Sequence, residues 1–157
     1  MKTSIEQSLI KKKQQVLKKW QGTAFSSQRI TTGGKPEGRF SDPVSYVVKA
    51  NTEAMLEWLL EDQGDLRVPL EEICRLKAVE ETRPAEALGF IFALKQIISE
   101  ELAGDHEIEI GIEELWKIDK RIDEMGLLAF DIYYDCRAKI YELRINEIKR
   151  LNGRGAG

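Results

Sequence analysis

The stretch LWKIDKRIDEMGLLAFDIYYDC, residues 115–136, decides how the chain folds. Leu115, Ile118, Ile122, Met125, Ala129, Ile132 and Cys136 follow one another by alternating steps of three and four, which puts all of them on one face of a helix as a heptad seam. The step then changes: Ile140 follows Cys136 by four and Leu143 follows by three, an insertion that rotates the contact face. Starting near Ile112 and running to about Leu151, such a helix is roughly 60 Å long at about 1.5 Å per residue, longer than a domain of this size is wide. Its far end must project or pair, and the Gly-rich tail from Asn152 is expected to be disordered.

Working back along the chain, residues 87–94 are apolar nearly all the way round; such a run could be a buried strand, but Lys95, Ile98 and Leu102 continue it at helical spacing, and strands rarely run so long. A central helix is predicted there, entered through Thr82 as cap and Pro84 in its first turn and ended by Gly104. Before it, Pro69 opens a shorter helix with Leu70, Ile73, Cys74 and Lys77 inward, ending near Glu81. Asp42 and Pro43 start a helix to about Glu61, with Val44, Val47, Val48, Met55, Trp58 and Leu59 on its inner face and Asn51 in the same stripe. Ile5, Leu9, Val16 and Trp20 mark an amphipathic first helix over residues 4–21. Gly33, Gly34, Pro36 and Gly38 make residues 26–41 a long loop, of the kind that is often functional. The prediction is an all-α domain of about five helices over residues 1–151, followed by a disordered tail at 152–157.

A formal net charge of −3 over 157 residues gives no reason to expect nucleic acid. Positive charge gathers in the first helix at Lys11, Lys12, Lys13, Lys18 and Lys19, whose solvated basic face is the favoured reading over peripheral contact with an anionic membrane. No apolar run reaches the roughly 18 residues of a membrane span, and no signal peptide is visible, so a cytoplasmic location is expected. Cys74 and Cys136 lie on apolar stripes with no metal or redox spacing and read as core thiols.

The residues offer little for catalysis. There is no nucleophile elbow, phosphate-binding loop or dinucleotide fingerprint, and the paired acids Glu80/Glu81, Glu100/Glu101 and Glu113/Glu114 are sequence neighbours that do not face each other on a helix. Asp105, His106, Glu107 and Glu109 could in principle gather a metal ion, but a solvated acidic connector is the stronger reading, and no metal or cofactor is expected. More informative are Tyr133, Tyr134, Arg137 and Tyr141, because Tyr and Arg concentrate at interface hot spots. The bland alternative has Tyr133 filling the core and Arg137 paired internally.

Several strings, in order, resemble one family: Arg39-Phe40-Ser41-Asp42-Pro43-Val44, Arg75-Leu76-Lys77-Ala78-Val79-Glu80, residues 90–101, and Leu127-Leu128-Ala129-Phe130-Asp131-Ile132-Tyr133 with Cys136-Arg137 and Ile140-Tyr141 after it. Together they resemble the RsbT co-antagonist N-terminal domain family, of RsbRD type, from about Leu9 to Arg150. The resemblance implies a globin-like, non-haem helical domain that serves as the input module of stress-signalling regulators and tends to dimerise. A STAS output domain usually follows the long helix in relatives, whereas this chain ends there. The resemblance also extends to free-standing versions in sulfate-reducing bacteria, encoded in the genetic neighbourhood of the membrane complex serving dissimilatory sulfite reduction. A globin-like fold raises the question of haem, but the single His106 lies in the charged connector, away from any helix face suited to an axial ligand.

The leading expectation is a regulatory or sensory protein-interaction module, homodimeric and not an enzyme, with a protein partner still to be named. Its expected interface is Tyr134, Arg137, Ile140, Tyr141, Leu143, Arg144 and Ile148, since the part of the long helix before Cys136 is needed for the domain's own core. A second reading is a small-molecule sensor, with a ligand pocket among Tyr46, Asn51, Arg75, Phe92, Lys95 and Tyr133. A third is an accessory factor of a membrane-associated redox complex.

Overall fold

In the computed structural model, which describes residues 4–24, 43–107 and 109–155, the heptad seam of the C-terminal segment is turned inward. The elements are α1 Ser4–Lys11, α2 Lys13–Ala24, α3 Pro43–Glu61, α4 Arg67–Val79, α5 Pro84–Ala103 and α6 Ile112–Gly155, and no strand occurs among the described residues. The fold is all-α. The expected loop at 26–41, the Asp42 cap and Ile108 lie outside the described residues.

The predicted first helix is interrupted at Lys12, which gives one element more than expected. Bonds from Lys12 N to Ser8 O (3.1 Å) and from Val16 N to Lys12 O (3.0 Å) carry the i→i−4 ladder across the break. Ile5, Leu9, Val16 and Trp20 are all fully buried, with α1 and α2 packed on α3 and α5. The indole N–H of Trp20 donates to the Phe90 carbonyl at 2.7 Å, and its ring stacks on Phe90 with centroids 5.8 Å apart. A buried indole thus keeps its donor satisfied.

Helix ends follow local chemistry, with two corrections to the predicted starts. The fourth element begins at Arg67, two residues before Pro69, because the Asp65 carboxylate accepts from Arg67 N (3.1 Å) and Val68 N (3.4 Å). Thr82 is not the cap of α5: Arg83 holds that position in an extended conformation with no side-chain cap bond, Pro84 opens the helix, and the Thr82 hydroxyl is buried without a hydrogen-bond partner. Beyond α3 and α4 the chain turns through left-handed residues, Asp62 (φ 53°) and Glu81 (φ 60°), where an L-side chain is strained by contact with its own backbone.

The apolar helix α5 carries a long buried face that includes Ala87, Leu88, Phe90, Ile91, Leu94, Ile97, Ile98 and Leu102, and it packs against α1, α2, α4 and α6. In α3 the buried face is wider than the sequence stripe suggests, taking in Thr52, Leu56 and Leu60, while Val44, Val47 and Trp58 are only half-buried. The long helix packs on α3, α4 and α5 through Ile118, Ile122, Met125, Ala129, Ile132 and Tyr133, with Leu115, Cys136 and Ile140 partly buried at the margins. From Tyr141 to Gly153 every residue is exposed. The helix runs to Gly155, four residues past the end near Leu151 expected from the sequence.

Candidate interaction surface on the long helix

Three arginines of α6 reach back to the ends of the helices beneath it. Arg121 donates to the Trp58 carbonyl in the last turn of α3 (2.6 Å) and to Asp62 (3.1 Å), and its guanidinium lies 4.6 Å from the centroid of the Trp58 ring. Arg137 donates to the Ala78 carbonyl in the last turn of α4 (2.6 Å), and Arg144 pairs with Glu81 just beyond it. Last-turn carbonyls carry the negative end of the helix dipole, so a cation is a fitting partner, and the Trp58 carbonyl accepts from Arg121 in addition to Asp62 N (3.2 Å). The carboxyl of Glu81 is held below its ordinary range, first by the bond from Arg144 and then by its charge. Between these ties, the Tyr133 hydroxyl donates to the Thr82 carbonyl at 2.7 Å. Tyr133, Arg137 and Arg144 together fasten α6 to the corner between α4 and α5.

The opposite face of α6 has no covering element among the described residues. Ile112, Trp116, Leu127, Phe130, Tyr134, Tyr141, Ile145 and Ile148 are all more than half exposed, separated by steps of 4, 11, 3, 4, 7, 4 and 3. At about 100° per residue these eight fall within a sector roughly 60° wide, turned away from the core seam. Lys120 and Asp123 interrupt the stripe, and Asp123 is taken up in an ion pair with Lys95 of α5 (2.7 Å). The ring of Phe92 on α5 lies across Gly126, where a Cβ would come within 2.3 Å of it, so a half-exposed aromatic borders the stripe.

The sequence-predicted interface residues divide between these surroundings. Tyr134, Tyr141 and Ile148 belong to the outer stripe. Ile140 and Leu143 fall on the core-facing side: Ile140 is partly packed against the core, and Leu143 is exposed only because the body has ended. Arg137 and Arg144 are engaged with the α4–α5 corner. The other five stripe residues, Ile112, Trp116, Leu127, Phe130 and Ile145, lie outside the interface expected from the sequence, although they repeat at helical spacing out of phase with the core seam, which is the signal that marks them.

The six residues expected to line a ligand pocket do not surround one cavity. Tyr46, Arg75 and Phe92 are exposed. Asn51 is buried and donates to Val47 O (2.8 Å) and Glu72 Oε2 (2.7 Å). Lys95 bridges Asp119 (3.4 Å) and Asp123, on the rim of a shallow concavity beside Trp116. Tyr133 is buried and tied to Thr82. Asn51, Lys95 and Tyr133 are thus each engaged by a separate partner and do not converge on one point among the described residues.

The remaining chemistry is structural. The thiol of Cys74 is fully buried, lies 3.6 Å from the Ala129 carbonyl as donor, and is pushed up to about 12 by burial. Cys136 is half-buried, and burial raises its pKa too. Lys77, inside the bundle, places its ammonium 4.9 Å from the centroid of Phe90, and burial lowers its pKa. The basic first segment is partly neutralised: Lys13 pairs with Glu57 and Glu61, Lys19 pairs with Glu101, and Lys12 donates to the Glu101 carbonyl. Asp105 accepts from the Ser8 hydroxyl at 2.6 Å while His106 is exposed, and no group of three or more His, Cys, Asp or Glu is gathered among the described residues as a metal ion requires. Among the described residues no helix is long and apolar enough to cross a membrane.

Comparison with known proteins agrees with the resemblance read from the sequence. The family model described as the RsbT co-antagonist protein rsbRD N-terminal domain matches residues 23–148, and the chain belongs to that family. The match begins at residue 23, so the resemblance over the first helix is not part of it. Membership supports a role in the regulation of stress signalling. An uncharacterized protein of Archaeoglobus fulgidus is 29% identical over 84 residues, covering 53% of this chain and 52% of the relative; the chain spans about half the length of that protein. No solved structure matches, and the globin-like arrangement rests on the family resemblance alone.

Proposed function

We propose that the chain is a non-catalytic regulatory module that acts by protein–protein association, with the outer face of α6 as its docking surface and a second copy of itself as the partner. The observation that carries this reading is the apolar stripe from Ile112 to Ile148 on a helix whose other face is committed to the core. The six large side chains from Leu127 to Ile148, at about 200 Å² each and half to two-thirds exposed, amount to on the order of 700 Å², above the few hundred that monomers leave open and close to the roughly 800 Å² per partner of a stable interface. A straight stripe on one helix is complementary to itself across a two-fold axis, which makes a second copy the fitting occupant. Membership in a family of stress-signalling co-antagonist domains supports a regulatory use of that association.

Sedimentation equilibrium over micromolar concentrations tests the reading. A dimer is expected, and Tyr134→Glu or Ile148→Glu is expected to yield monomers with unchanged helical content. A wild-type chain that stays monomeric throughout would remove the proposal.

A further inference from the structure

We propose that Arg137 is the positioning residue of the docking stripe, holding Tyr141 in a fixed orientation by anchoring it to the C-terminal end of α4. The inference rests on the reading of α6 as a docking helix and deepens it. One guanidinium nitrogen donates to the Ala78 carbonyl at 2.6 Å, and another donates to the Tyr141 hydroxyl at 2.6 Å. The guanidinium carbon also lies 4.7 Å from the centroid of the Tyr141 ring. The body of the domain thus reaches a stripe residue through a single side chain.

The chemistry explains why arginine is needed. A planar fork with several donors can engage a helix-end carbonyl and a phenolic oxygen together while stacking on the ring, and a lysine ammonium has no such fork. The contact to Ala78 is charge-assisted and partly buried, so it is the firmer end of the relay. An exposed tyrosine on a bare helix samples several rotamers, and association must freeze it at an entropic cost. With Arg137 anchored, that cost is met on folding, and Tyr141 meets its partner already ordered. The neighbouring Arg144–Glu81 pair fixes the helix at the next turns, so the relay does not depend on the long helix being rigid by itself.

A double-mutant cycle on self-association, made in the full chain, tests the relay. Arg137→Lys and Arg137→Ala are each expected to weaken association by roughly three- to tenfold, the scale of one ordered side chain. In a Tyr141→Ala background, Arg137→Ala should change association by less than about twofold, because its target is gone. Equal weakening in both backgrounds, or no weakening in either, overturns the positioning role. If the wild-type chain is monomeric, the proposed function falls separately, and the relay is then read in the monomer. Three-bond couplings should report a single Tyr141 χ1 rotamer in the wild type and averaging in Arg137→Ala; averaging in both overturns the inference.

Discussion

In the first half of α6, residues 112–133, Ile118, Ile122, Met125, Ala129, Ile132 and Tyr133 are buried against the helices below; in the second half, residues 134–155, Tyr141, Leu143, Ile145, Ile148 and Leu151 are all more than half exposed. The two halves share a residue vocabulary and a continuous hydrogen-bonded backbone. What separates them is where the body stops. The corner between α4 and α5 is the last place where another element meets α6, and Tyr133, Arg137 and Arg144 mark it by their bonds to Thr82, Ala78 and Glu81. An apolar side chain on one face of a helix becomes core or surface according to whether another element reaches it, and its own spacing does not say which.

The sharpest way to break this contrast is to truncate the core half. Met125→Ala is expected to cost about 2–5 kcal/mol in urea unfolding, since Met125 is fully buried and the cavity cannot collapse between packed helices. A small loss there would mean that the first half is not the core element its burial indicates.

Alkaline titration should act through the same half. The folded pKa of Cys74 lies near 12, above an ordinary thiol near 9, so the native state retains a proton that the unfolded chain releases. The stabilising contribution is therefore fully present below about pH 9 and is lost as pH rises through about 12. The stability difference between wild type and Cys74→Ala should fall across that window by on the order of 1–4 kcal/mol. A flat difference would show that the thiol is not held in the interior. At pH 8 a thiol reagent should modify the half-buried Cys136 well before Cys74.

Arg121→Ala removes two hydrogen bonds and a ring contact at the end of α3 and is expected to cost about 1–3 kcal/mol. The second half offers the opposite limit. Leu143→Asp should change stability by less than about 0.5 kcal/mol and leave circular dichroism unchanged, because that side chain is more than half exposed and outside the core cluster. Global unfolding of this variant would extend the core past the corner and erase the contrast.

Most of the helical architecture was legible in the sequence because helical periodicity and turn chemistry are local. The seam from Leu115 to Cys136 reads as one face without knowledge of what it touches, and Pro43 and Pro84 mark helix starts by the φ that their rings enforce. The misreadings have physical reasons as well. Thr82 has the chemistry of a cap, yet the chain leaves the left-handed Glu81 in a direction that gives Arg83 the capping position. Lys95, Asn51 and Tyr133 are polar residues on inner faces, which by spacing alone suggests a shared pocket, but each is engaged by a nearer partner.

The sequence by itself determined that the chain is helical, which residues share a face, and which family it resembles, since each follows from residue types at fixed spacing. The tertiary structure decided which of two apolar phases on α6 becomes core and which stays outside, and that Arg121, Arg137 and Arg144 serve the ends of other helices. Those outcomes depend on partners 59 to 63 residues away along the chain, a separation that no local spacing encodes.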